Sequence, residues 1–148
     1  MGWKFHLTED RSSRCTINDG FIYYKDLDFC YKIYDPSPRD FMVYKSICEQ
    51  ANAELVKVDT KEKQKYIELI TADLSVLRLC VQGTDTIDSQ QRWTFDDGTL
   101  MTYFNWNHQY NQPSGGQGYI GISVVRNFTW FDIVASTPSS TCNFICQK

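Results

Sequence analysis

The spacing of apolar residues predicts two helices in the first half of the chain. Apolar side chains recur at three- and four-residue intervals at Phe41, Tyr44, Ile47, Cys48 and Ala51. This spacing is typical of the buried face of an amphipathic helix. Ser37 and Pro38 suit its first positions, because Ser accepts from free backbone N–H groups and Pro has none to leave unpaired. A second helix is expected from Asp59 or Thr60, with three residues facing the core: Tyr66, Ile67 and Ile70.

Strand signals surround these helices. The segment 21–34 is rich in Tyr, Phe and Ile, and 77–81 follows the second helix. Three closing strands are predicted at 119–125, 128–134 and 142–147. Residues 105–118 form a long irregular stretch of a kind that is usually functional in a compact domain. Because helices stop at Ala72 while strands continue, we expect an α+β domain over 15–148, preceded by a loose arm over 1–14.

Length and charge narrow the class of protein. The chain has 148 residues, which suits one domain, and 15 basic against 18 acidic residues give a net charge of −3. This balance argues against nucleic acid as a partner, since phosphate binding needs a clustered positive field. The sequence also contains no apolar run of the roughly 20 residues that a membrane span requires.

Cysteine usage indicates an oxidising compartment. Six Cys in a short chain favour disulfides over a zinc site, since no CxxC pair is present and the histidines are His6 and His108. Met1-Gly2-Trp3-Lys4 lacks the apolar segment of a signal peptide, so we expect a mature secreted or extracellular domain. Asn127-Phe128-Thr129 is a sequon for N-glycosylation, which fits that location.

Five separated segments, in order, resemble the C-type lectin-like domain family. They are Phe29-Cys30-Tyr31-Lys32, Cys48 with Ala53-Glu54-Leu55-Val56, Val81-Gln82-Gly83-Thr84-Asp85, Trp93 to Gly98 with Tyr103 to Trp106, and Asn143-Phe144-Ile145-Cys146. The resemblance covers residues 15–148, in a long form with an extra N-terminal disulfide. It implies two helices, two small antiparallel sheets and a long irregular loop that carries the ligand site.

The resemblance also implies a disulfide pattern. The family joins an N-terminal pair and ties its first helix to the last strand, which gives Cys15–Cys30 and Cys48–Cys146. Cys80–Cys142 then remains as the third pair. That pair departs from the family, whose second core bridge usually starts in the strand near Tyr119.

The family's calcium and sugar site is only partly preserved. The family places a Glu-Pro-Asn or Gln-Pro-Asp triplet, with a cis proline, opposite a Trp-Asn-Asp triplet. Here Gln112-Pro113-Ser114 and Trp130-Phe131-Asp132 hold those places. Ser114 offers a neutral hydroxyl and Phe131 offers no ligand, so Gln112 and Asp132 remain as weak ligands and Ca²⁺ binding is doubtful.

Other candidates in the loops have two readings each. Asp85 and Asp88 stand where the family has an accessory calcium site, and they are also suited to capping or solvating a loop. The long loop carries planar polar groups that contact sugar or simply meet solvent: Asn107, His108, Gln109, Tyr110 and Asn111. Trp93, Trp106 and Trp130 are expected in the core.

The resemblance implies a secreted carbohydrate-binding C-type lectin with a degraded calcium site. Such a lectin recognises glycans through the long loop and works in innate recognition or self-assembly on surfaces. The alternative is a lectin-like protein-interaction module without sugar binding, because function lives in the site. An enzyme is disfavoured, since the sequence shows no Ser-His constellation or paired carboxylates. Glycans or a glycoprotein are the expected partners, and self-association into a homo-oligomer stays open.

Overall fold

The computed structural model of the protein describes residues 11–37, 40–85, 92–135 and 142–148. These residues hold one seven-stranded sheet and two α-helices. The helices are α1 (Phe41–Gln50) and α2 (Lys61–Thr71). The strands are β1 (Ile22–Tyr24), β2 (Phe29–Ser37), β3 (Glu54–Leu55), β4 (Arg78–Val81), β5 (Tyr119–Ser123), β6 (Thr129–Ile133) and β7 (Cys142–Gln147). The α+β class is therefore confirmed, with the closing strands where the sequence predicts them.

The strands form one mixed sheet rather than two separate antiparallel sheets. Their order is β1-β2-β7-β4-β5-β6, and β3 pairs with β7. The two halves join because β4 runs parallel to β7, with Leu79 opposite Asn143 and Cys80 opposite Phe144. Strand β4 also pairs with β5, so it has a neighbouring strand on each side. Its residues Leu79, Cys80 and Val81 are all buried.

Helix α1 begins three residues later than Ser37 and Pro38 suggest. Strand β2 continues to Ser37, and its register with β7 is interrupted between Tyr34 and Ser37. Pro36 lies in this irregular stretch, where the missing N–H of proline is tolerated. The cap is Asp40, whose carboxylate accepts a hydrogen bond of 3.0 Å from the Val43 N–H. Pro38 lies outside the described residues.

Helix α2 begins where the sequence predicts. Thr60 is its cap, and the Thr60 hydroxyl accepts a hydrogen bond of 3.1 Å from the Lys63 N–H. Ile67 is buried, while Tyr66 and Ile70 pack at the margin of the same core cluster. Within the described residues, neither helix has the length and apolar character needed to cross a bilayer.

The sheet separates two apolar clusters. Along β2, Phe29 and Tyr31 belong to one cluster and Cys30 to the other, as the alternation of side chains in a strand requires. Helix α2 contributes Ile67 to the first cluster, and α1 contributes Tyr44 to the second. Trp93 and Trp130 are buried as expected, whereas Trp106 is only partly buried.

Three disulfides tie these layers together. They are Cys15–Cys30, Cys48–Cys146 and Cys80–Cys142, the same pairs that the resemblance implies. Cys146 and Cys142 place one bridge near each end of β7. At the N-terminal side, Arg11–Arg14 forms a 3₁₀ turn, and residues 1–10, most of the predicted arm, lie outside the described part.

Candidate functional site

The first residues of the long loop are hydrogen-bonded to β6. The Trp130 N–H donates to the Asn105 carbonyl at 2.8 Å, and the Asn107 N–H donates to the Trp130 carbonyl at 3.0 Å. Asn107 is buried, and both the oxygen and the nitrogen of its side-chain amide form hydrogen bonds. The oxygen accepts from the Tyr110 N–H at 3.1 Å, and the nitrogen donates to the Thr129 hydroxyl at 2.8 Å. Both polar atoms of the Asn107 side chain are therefore bonded within the protein, where they hold the loop.

The next four residues form the exposed tip of the loop. His108–Tyr110 is a single 3₁₀ turn that closes at Asn111, whose φ of 54° lies in the left-handed region. All four side chains are exposed, and Tyr110 is 46% exposed. The tip therefore presents an imidazole, two amides and a phenol to solvent, and these groups are available to a ligand.

A buried carboxylate joins the loop triplet to the strand triplet. Asp132 is 3% exposed, and one of its oxygens accepts from the Ser114 N–H at 2.8 Å and the Ser114 hydroxyl at 2.7 Å. The other oxygen accepts from the Gly115 N–H at 2.8 Å. In return, the Asp132 N–H donates to the Gln112 amide oxygen at 3.1 Å. Gln112 and Pro113 are joined by a cis peptide bond, as the resemblance implies.

These groups do not fit a calcium ion. Ca²⁺ takes six to eight oxygens and gains affinity from charged ligands. Here the single carboxylate, Asp132, uses three of its roughly four lone-pair positions on donors from the loop. The Gln112 oxygen is also occupied, and Phe131 has no side-chain oxygen. In the described part of the chain, no three His, Cys, Asp or Glu side chains come together as a metal-binding group.

Of the two residues at the accessory calcium position, Asp85 lies in the described part of the chain. Asp85 is buried at 4% exposure, and its backbone N–H donates to the Gly118 carbonyl at 3.3 Å. This bond fixes the end of the long loop against the segment that follows β4 and contains Asp85. Asp88 lies outside the described residues, so its proposed role as a ligand stays a prediction.

A groove beside the loop contains residues that the sequence did not single out. It has a volume of about 270 Å³ and is lined by residues of β4, β5 and β6 and of the long loop. We call it the Arg126 groove, and its lining includes Arg78, Gln112, Gln117, Gly121, Arg126 and Phe131. The groove exists only in the assembled sheet, because the pairing of β5 with β6 sets Gly121 opposite Phe131.

The fold and this loop arrangement define a C-type lectin-like domain. Structurally, the protein is similar to the mouse scavenger receptor C-type lectin carbohydrate-recognition domain. That likeness has a TM-score of 0.69 and 24% identity, covering 86% of this chain and 94% of that chain. It is also similar to a calcium-independent type II antifreeze protein, with a TM-score of 0.69 and 17% identity over 87% of this chain and 91% of that chain. At these identities the likeness shows the fold alone.

Sequence comparison gives the family directly. The profile of the lectin C-type domain matches residues 37–148, so the chain belongs to this family. Layilin of Cricetulus griseus is 27% identical over an aligned length of 168 residues. The alignment includes 95% of this chain and 43% of layilin. The chain thus spans about two-fifths of the length of that relative. The resemblance stated from the sequence is confirmed.

Proposed function

We propose that the protein is an extracellular glycan-binding domain that recognises sugars through residues 105–118 without calcium. The observation that carries this proposal is the bonding of Asp132. The carboxylate holds Ser114 and Gly115 directly, so the loop has its shape without an ion to organise it. The three disulfides support an extracellular location, because such bonds persist in oxidising compartments.

The loop tip supplies the chemistry for sugar recognition. The amides of Gln109 and Asn111 offer both donors and acceptors to hydroxyl groups. The exposed Tyr110 ring offers a surface for the apolar face of a pyranose. His108 adds one donor and one acceptor when its imidazole is neutral. A few polar groups beside an aromatic surface are typical of small-ligand sites.

A second candidate function is recognition of a protein through the same end of the fold. Leu77 is 70% exposed and Val125 is 72% exposed. The Val124 N–H donates to the Leu77 carbonyl at 3.1 Å, so the two apolar side chains belong to adjoining segments. A protein partner would cover such side chains, whereas a sugar does not need them.

Glycan binding is expected to be the same in calcium and in chelator. On a glycan array, affinities should differ by less than about twofold between the two conditions, since the family's ion position has a single carboxylate and the loop already occupies it. A calorimetric titration should show no saturable calcium binding below about 10⁻⁴ M. Asp132→Ala should weaken glycan binding, because it releases Ser114 and Gly115. Glu49→Ala, at an exposed position on α1, is the matched control.

Two results would count against this proposal. Micromolar calcium binding that disappears in Asp132→Ala would show that the loop rebuilds a metal site. Absence of glycan binding in both conditions would favour the protein-interaction function instead. Binding to a purified glycoprotein that survives enzymatic removal of its glycans would then support that second candidate.

Asn127 is expected to carry an N-linked glycan when the protein passes through a secretory pathway. The side chain is exposed, and the residue has a φ of 60° in the turn before β6. Mass spectrometry of the peptide containing Asn127 should detect the glycan, and Asn127→Gln should remove it. An unmodified Asn127 in protein from a glycosylating host would contradict the prediction.

A further inference from the structure

Gly121 is part of the lining of the Arg126 groove, at a position where a larger residue would be crowded. A Cβ at Gly121 would lie 2.9 Å from the Ile133 Cδ1 and 3.4 Å from the Arg78 Cδ. Phe131 lies opposite Gly121 in the register between β5 and β6. The glycine thus lets the side chains of Ile133 and Arg78 pack closely over the strand, and the groove is lined by this arginine and by Phe131.

Two arginines contribute positive charge to the lining of the groove. Arg78 and Arg126 are both part of its lining. Among the described lining residues, the one acidic side chain is Asp132, whose two oxygens are bonded to the loop. Arg126 is exposed and makes no ion pair within the described part of the chain. Its charge is therefore directed to solvent rather than neutralised by the protein.

Aromatic side chains hold the guanidinium group in place. The Arg126 Cζ lies 4.0 Å from the centroid of the Tyr110 ring. The Tyr110 and Phe131 rings are 6.0 Å apart. A cation over an aromatic face is attracted by the ring without losing its charge. Less side-chain freedom then remains to be lost when Arg126 binds an anion.

We propose that the Arg126 groove binds an acidic sugar, one that carries a carboxylate or a sulfate. This inference rests on the proposed glycan-binding function and specifies its ligand class. A guanidinium group forms paired hydrogen bonds with planar or tetrahedral oxyanions. The exposed Gln117 supplies an amide for hydroxyl groups, and Phe131 supplies an apolar surface. The volume of about 270 Å³ lies below the usual range for drug-sized ligands, which suits one or two sugar units.

The test measures binding of three probes in chelator: sialyllactose, a sulfated disaccharide and uncharged lactose. At least one acidic probe should bind about tenfold or more tightly than lactose, and its affinity should fall as salt rises. Arg126→Gln should lower that affinity about tenfold, which is the scale of one hydrogen bond to a charged group. Arg126→Lys should recover only part of the loss, because an ammonium group cannot form the paired bonds.

The control variant is Lys65→Gln, which removes the same charge from an exposed position on α2. It should leave the affinity for the acidic probe unchanged. Comparison of the carboxylate and sulfate probes identifies which anion the groove prefers. If lactose binds as well as both acidic probes and Arg126→Gln changes nothing, this inference is wrong while glycan binding stands. If no glycan binds at all, the proposed function fails and the inference fails with it.

Discussion

Replacing Trp130 with alanine is expected to lower the free energy of unfolding by about 5 kcal/mol. Trp130 is fully buried, and its ring meets the edges or faces of three others: Tyr103, Phe104 and Trp106. Loss of a buried Trp side chain costs about 3–5 kcal/mol. The substitution also removes the indole N–H that donates to the Gln64 amide oxygen at 3.0 Å. A buried acceptor left without a partner costs a further 1–3 kcal/mol or so.

Equilibrium unfolding in urea measures this effect, with the slope m compared between variants to check two-state behaviour. Leu69→Ala is the control, since Leu69 is 72% exposed on α2 and should change stability by less than about 1 kcal/mol. Trp130→Phe keeps part of the ring contact and should give an intermediate loss. A Trp130→Ala protein with nearly normal stability would show that the loop is held independently of this residue.

Removal of the Cys48–Cys146 disulfide is expected to cost about 4–5 kcal/mol. The two residues are 98 positions apart, and in the chain-entropy account a loop of this length gives the largest stabilisation. The variant replaces both Cys48 and Cys146 with Ala, so that no buried free thiol remains. The free energy of unfolding of most single domains is only about 5–15 kcal/mol, so the variant should be close to unfolding at 25 °C.

The matched control removes Cys15–Cys30, which closes a loop of only 15 positions. Its expected cost is about 3 kcal/mol by the same relation. Urea unfolding of both double variants in the absence of reductant gives the comparison. An equal or larger loss for the Cys15–Cys30 variant would contradict the argument from loop length. It would indicate that the N-terminal pair contributes through native contacts instead.

Local signals predicted the elements of the fold well. The apolar spacing and the cap at Thr60 located α2, because both act within one or two turns of helix. The predicted start of α1 was wrong because Ser and Asp are both good caps. Ser37 pairs with β7 as part of β2, so the helix begins after Asp40 instead. The single mixed sheet was missed for a related reason. The pairing of β4 with β7 joins residues more than sixty positions apart and leaves no local pattern.

The site shows the same division between local and distant information. The triplets at 112–114 and 130–132 were recognisable, and the sequence correctly brought them together. Their residue types did not reveal that Asp132 bonds to Ser114 and Gly115, since that depends on the path of the loop. The Arg126 groove was not predicted at all. It depends on the register that sets Gly121 opposite Phe131 and on the packing of Arg78 and Ile133 against Gly121.

The position of β7 determines when this domain can be assembled during synthesis. The strand is the last one of the domain to leave the ribosome, yet it pairs with β2, β3 and β4 and supplies a cysteine to two disulfides. Until Cys142–Gln147 emerges, the strands on either side of it lack their shared neighbour. A nascent chain that stops earlier therefore exposes the apolar surface that Phe144 and Ile145 cover in the finished domain. The domain can therefore complete its sheet only after β7 has been made, and a truncation before β7 leaves a product for chaperones and proteases.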